Sequence, residues 1–172
     1  LPTTAQIARS LYAQETGKFV DGVITIDLHA VELFIGALEP LIITGSKEPL
    51  TGANVVERIK QMWAAPLQSG VKIDENLDAW WKQRKDFIPQ MAQSAFARLQ
   101  SGSFSYPRVA VALETALDER SVQIWSANPE TAKTLAQVYW DGGLHPTAQM
   151  DFLALVDTNM GYNKVDAIME RS

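Results

Sequence analysis

Three cations, Lys82, Arg84 and Lys85, follow the Trp80–Trp81 pair in the stretch "WWKQRKDF". Their position near a helix start sets positive charge against the helix dipole, a small local cost that hints at another purpose. A phosphate there would be held by charge-assisted hydrogen bonds, bidentate in the case of Arg84. The plainer reading is a solvated helix face on which Asp78 and Asp86 supply ionic partners. A second polar set closes the chain. The apolar run Leu153 to Val156 stops at Asp157 and gives way to Asn159, Gly161, Asn163 and Lys164. Asn and Gly suit a turn with positive φ and side-chain bonds to backbone. Lys164 can pair with Asp157 or Asp166, or reach a ligand beyond the strand end, where ligands of open α/β sheets tend to sit.

The remaining chemistry-bearing residues carry less. Asp21 and Asp27 bracket a strand and lie about 20 Å apart when it is extended, too far to share a Mg²⁺ ion. Asp27 can cap the helix that follows, and Asp21 can face solvent. His29 and His145 have no metal-ligand spacing, and the chain contains neither a zinc-protease helix motif nor a nucleophile elbow, P-loop or dinucleotide fingerprint. No metal or cofactor is expected. Trp63, Trp80, Trp81, Trp125 and Trp140 could line a sugar-binding surface, although indoles more often fill cores.

Composition bounds the rest. The 172 residues carry 47% hydrophobic and 20% charged side chains, ordinary values for one globular α/β domain spanning residues 1–172. A net charge of −5 does not advertise nucleic-acid binding. Cysteine is absent, which removes disulfide and thiolate chemistry. No run reaches the roughly 18 apolar residues of a membrane span. The chain opens on Leu1 rather than Met, which suggests a piece of a longer protein, with any anchor outside it.

The elements that must position these residues follow from periodicity. A helix is expected over Thr4–Thr16, capped by Thr3 or Thr4 and stopped by Gly17. "FVDGVITID" reads as a strand over Val20–Ile26, "LHAVELFIGAL" as a helix, "LIITG" as a short strand over Leu41–Thr44, and Thr51 as the start of a helix ending before Pro66. This order predicts a β-α-β unit. A loop over residues 65–75 leads to a long helix from Asn76 to about Gln100 that Pro89 should kink or divide. Pro107 starts a helix through Leu117, "SVQIWS" is a strand, and Asn128–Pro129 caps a helix to about Val138. "GGLHP" is a turn, "MDFLALVDTN" a last strand, and "KVDAIMER" fits helix or strand. The expected fold is α/β, a layered sheet flanked by helices, with strands at Val20–Ile26, Leu41–Thr44, Val122–Trp125 and Phe152–Val156 in one sheet.

The segments "VDGVITIDLHAVELFIGALEPL", "LTGANVVERI", "RKDFIPQMAQ", "ALDERSVQIWSANPE", "WDGGL" and "VDTNMGYNKVDAIMERS" resemble, in order, domain-of-unknown-function family 4012. The resemblance runs from about Val20 to Arg171 and implies the C-terminal half of that domain. It further implies a bacterial parent protein anchored in the membrane near its N-terminus and exposed outside the cytoplasm, at the cell surface or envelope. A weaker similarity joins the order of elements and the basic helix start "WKQRKDF" to the LytR-CpsA-Psr family. Members of that family transfer glycopolymers from a polyprenyl-pyrophosphate carrier and hold the pyrophosphate with arginines. On that likeness Arg84 and its neighbours Lys82 and Lys85 would face a pyrophosphate or glycan, and Asn159, Asn163 and Lys164 would converge on it. Two functions are therefore expected. The first is a non-catalytic extracytoplasmic surface-assembly module, partnered by other protein chains or a preceding half-domain. The alternative is a transferase acting on polyprenyl-pyrophosphate-linked glycans.

Overall fold

A computed structural model describes the backbone of residues 1–43, 48–63 and 73–145, with side chains over the same residues except Trp63 and residues 73–85. In chain order the elements are α1 (Pro2–Thr16), β1 (Gly22–Ile26), α2 (Leu28–Leu38), α3 (Gly52–Trp63), α4 (Ile73–Gln100), α5 (Tyr106–Asp118), β2 (Val122–Ser126) and α6 (Pro129–Gln137). The fold is mixed α/β, mostly helical, with a two-stranded antiparallel sheet among the described residues. Two compact units divide it. Among the described residues, one holds Leu1–Leu33 and Pro107 to His145, the other Phe34–Tyr106.

In the first unit, α1 starts at Pro2, earlier than the Thr caps suggested, and Leu1 precedes it without a side-chain cap. Proline serves the first turn well, because its missing N–H is one that a helix start leaves unpaired anyway. The stop is as expected: Gly17 adopts φ 67° and its N–H returns to the Ala13 carbonyl. Arg9 Nε donates to the Val20 carbonyl at 2.8 Å, tying this helix to the approach of β1. Strand β1 pairs with β2 in the register Gly22–Ser126, Ile24–Ile124 and Ile26–Val122. The ladder is extended at both ends by Asp27 N–H to Ser121 O and Ala127 N–H to Asp21 O. Asp27 then caps α2, its carboxylate accepting the Ala30 N–H at 2.9 Å. Asn128 does the same for α6, accepting from Glu130 and Thr131. Ala5, Ala30, Ala116, Leu117 and Val122 are buried here, a core of small side chains.

The second unit is built on larger aliphatics. Val55 and Ile59, one helical turn apart on α3, are the largest side chains buried almost completely. Leu38, Leu41, Ile43, Leu50 and Met91 are buried as well. Thr51 precedes α3: its carbonyl accepts the first helical bond, from Val55, while the Asn54 side chain reaches back to accept the Thr51 N–H at 2.9 Å. Helix α4 runs through Pro89 as one 28-residue element rather than dividing there.

The parallel β-α-β expectation is corrected. Leu41 exchanges both backbone hydrogen bonds with Leu50 and forms an isolated antiparallel bridge, so the described part of "LIITG" closes a loop and does not extend the sheet. Strand β1 instead pairs antiparallel with β2, almost a hundred residues away in the chain, which fixes a long-range sheet without a crossover helix. The strand expected at Phe152–Val156 and the undecided segment "KVDAIMER" lie outside the described residues.

Candidate functional site

The cations singled out by sequence fall on the N-terminal half of α4, which carries Lys82, Arg84 and Lys85. Their side chains lie outside the described residues, as do Asn159, Asn163 and Lys164. What the structure brings together is a different set of groups, all in the first unit.

The tightest lies in the loop after α6. Asp141 Oδ1 accepts the Gly143 N–H at 3.0 Å and meets His145 Nε2 at 2.8 Å. The Asp141 side chain is 13% exposed and that of His145 29%. Burial alone would raise the carboxyl pKa. The hydrogen bonds from His145 and Gly143, with the charge of the imidazole, outweigh it and hold Asp141 below its ordinary value. Tyr139 stands edge-on to the His145 ring at 5.5 Å. Gly142 has φ +63°, and a Cβ on it would strike the Gln123 side chain. A Cβ on Gly143 would lie 2.8 Å from Asp141 Oδ2 and 2.9 Å from His145 Nε2, so the pair can close only over glycines. Just before this loop, Trp140 Nε1 donates to Asp118 Oδ1 at 3.1 Å and its carbonyl accepts the Ile124 N–H.

The second cluster is on the surface. His29 Nε2 meets Glu119 Oε2 at 2.9 Å and Nδ1 lies 3.5 Å from Glu32 Oε2. Desolvation opposes the imidazolium, but the two glutamate hydrogen bonds and their charges raise the His29 pKa above its ordinary value. With about half of each side chain exposed, the cluster fastens the first turn of α2 to the residue after α5 only loosely.

Chemically, an aspartate-held imidazole with one nitrogen left over has the form of a general base. Among the described residues, however, no serine, threonine or lysine is hydrogen-bonded to either histidine, and no three acidic or histidine groups are placed to hold a metal ion. Both histidines, which sequence reading left alone, are committed to carboxylates. The His145 pair had a local signal, since an aspartate four residues before a histidine across two glycines can fold back on it. The His29–Glu119 contact spans 90 residues and had none. Asp27 is the cap and Asp21 the exposed residue that the sequence suggested. Of the five tryptophans, Trp125 and Trp140 are half-buried, serving neither as closed core nor as an open platform.

Comparison with known proteins gives a partial family match. Residues 1–62, from α1 to nearly the end of α3, match the sequence profile of a family described as a protein of unknown function (DUF4012). The match covers the segments "VDGVITIDLHAVELFIGALEPL" and "LTGANVVERI" that carried the resemblance; the four later segments lie beyond it. No curated protein and no solved structure matches the chain. Among the described residues, no helix is long and apolar enough to cross a membrane.

Proposed function

We infer that this chain is a non-catalytic assembly module of the cell envelope, displayed outside the cytoplasm by a membrane-anchored parent protein. The observation that carries the reading is apolar surface. Within the first unit, Phe19 is 78% exposed, Ile24 62% and Ile26 56%, and Ile7 and Leu11 form an exposed pair one turn apart on α1. Scattered apolar side chains are ordinary on a surface; a strand that leaves two isoleucines in water calls for a partner. The resemblance to family 4012 supports the location and the parent's anchor.

The alternative, a transferase acting on polyprenyl-pyrophosphate-linked glycans, rests on the order of elements, the layered half-domain it implies and the cations at positions 82, 84 and 85. One experiment separates the two. The parent protein is displayed on cells, tested for cleavage by added protease, and incubated with a polyprenyl-pyrophosphate-linked glycan and peptidoglycan acceptor. The module reading predicts cleavage at the surface and no glycan transfer above a heat-treated control. Transfer that falls at least tenfold in Arg84→Ala would overturn it in favour of the enzyme.

A further inference from the structure

We propose that the outer edge of β1 receives a strand from a partner polypeptide that is apolar at alternate positions and carries Lys or Arg on both sides of a five-residue pairing segment. The proposal rests on the assembly reading and names the chemistry of its partner.

The edge follows from the register. The bonds Asp27 N–H to Ser121 O and Ala127 N–H to Asp21 O fix those two residue pairs as the hydrogen-bonded kind. Hydrogen-bonded and non-bonded pairs alternate in an antiparallel ladder, so Val23–Trp125 and Thr25–Gln123 are bonded while Gly22, Ile24 and Ile26 turn their N–H and C=O groups away from β2. The opposite edge of the sheet obeys the same parity: Ile124, across from Ile24, gives its N–H outward to the Trp140 carbonyl. Edge β2 is therefore covered by the chain. Edge β1 has no partner other than β2 among the described residues.

The side chains on that edge point the same way. Ile24, Ile26, Val122 and Ile124 share one face of the sheet, because the paired residues in the register project to the same side. On β2 this face is covered, with Val122 at 3% exposure, whereas Ile24 and Ile26 stay open. "GVITI" contains no lysine and no proline, the residues that protect free edges. A strand added beside β1 would bond to the outward amides and lay its own alternate side chains against the two isoleucines, as in strand-addition recognition generally.

Charge selects the partner. Asp21 and Asp27 flank the strand, both exposed, and Asp27 caps α2 with one carboxylate oxygen. A second copy of this chain pairing antiparallel about Ile24 would set Asp21 opposite Asp27 of the copy at both ends, and directly opposed like charges destabilise a ladder. Sliding the register relieves the repulsion only by shortening a ladder that is five residues long. A heterologous strand with cations at both ends turns the same two positions into attractive cross-strand pairs.

The test uses the full chain and the peptide acetyl-Lys-Val-Thr-Val-Thr-Val-Lys-amide, whose valines fall opposite Gly22, Ile24 and Ile26 when its lysines oppose Asp27 and Asp21. Amide hydrogen exchange of the protein alone should show Val23 and Thr25 protected and Ile24 and Ile26 exchanging freely. Saturating peptide should slow Ile24 and Ile26 by roughly tenfold or more, and a Glu-flanked version of the peptide should bind at least about tenfold more weakly at low salt. Ile24→Pro removes an outward N–H that β2 does not use and should abolish binding with the sheet retained. Should that variant misfold, Asp21→Lys with Asp27→Asn, which preserves the cap acceptor, should reverse the preference to the Glu-flanked peptide. Equal affinity for the two peptides, or no binding of either, overturns the proposal. So does protection of Ile24 and Ile26 before peptide is added, which would mean that the chain's own residues or a second copy fill the edge. Failure here leaves the assembly reading to other surfaces, whereas glycan transfer would defeat the assembly reading without touching the peptide result.

Discussion

Replacing Asp141 by Asn isolates the ionic part of the loop that follows α6. The amide keeps an oxygen for the Gly143 N–H but removes the charge that faces His145 at 2.8 Å. A hydrogen bond to a charged group is worth about 1.5–3 kcal/mol. The 29% exposure of the histidine discounts this for solvent screening, leaving about 1–2 kcal/mol of destabilisation near neutral pH. In a chain of this size each kcal/mol lowers the thermal midpoint by roughly 2–4 °C. The pH dependence has a fixed sign. Folding holds the Asp141 pKa below its ordinary 3.8, so the unfolded chain takes up the proton first on acidification. The contribution is full well above pH 3.8 and is lost as pH falls through the lower folded-state value. Urea titrations of both proteins over that range should give a stability difference that is flat at its upper end and shrinks towards its acid end. No difference at neutral pH, or a difference that grows on acidification, would refute the ionic account of this loop.

Three further outcomes follow from the same reasoning. Asn128→Ala removes the acceptor for two N–H groups at the start of α6 and should cost about 1 kcal/mol in a urea unfolding titration, whereas Asn128→Asp should be near neutral. Gly142→Ala places a methyl group against the Gln123 side chain at φ +63° and should lower the thermal midpoint, by the equivalent of about 1 kcal/mol or more. The raised His29 pKa stabilises the fold below the ordinary 6.5, and this is lost as pH rises through the folded-state value, so wild type should exceed His29→Gln by more at pH 6 than at pH 9. Because His29 is about half-exposed, that excess should stay below about 1 kcal/mol, and an NMR titration of its imidazole should report the raised pKa directly.

Local chemistry was legible in the sequence and long-range pairing was not. Gly17 as a stop, Asp27 and Asn128 as caps and Pro107 in the first turn of α5 each act within a few residues, and each occurs as the pattern suggested. Strands β1 and β2 were also visible, being β-branched runs bounded by turn residues. That they share one sheet was expected and occurs, but "LIITG" was misread as the second strand of a parallel unit, because nothing local distinguishes it from a loop closed by Leu41 and Leu50. Pro89 was expected to kink or divide α4, and it does not divide it: the proline removes one hydrogen bond, and the rest of a 28-residue helix carries the element across the gap. The polar sites show the same division. The Asp141–His145 pair could be read from spacing across two glycines, whereas Glu119 reaches His29 only through the tertiary fold.

The central claim, that this chain assembles with another protein through the open edge of its sheet, is tested most directly by site-specific crosslinking in cells. A photoreactive residue replaces Ile26, which is 56% exposed, in the protein as its host cells make it, and the crosslinked peptide is identified by mass spectrometry. The account predicts one dominant adduct to a different polypeptide, at a segment apolar at alternate positions and bounded by lysine or arginine. Adducts confined to the chain itself, or to a second copy of it, would contradict the account.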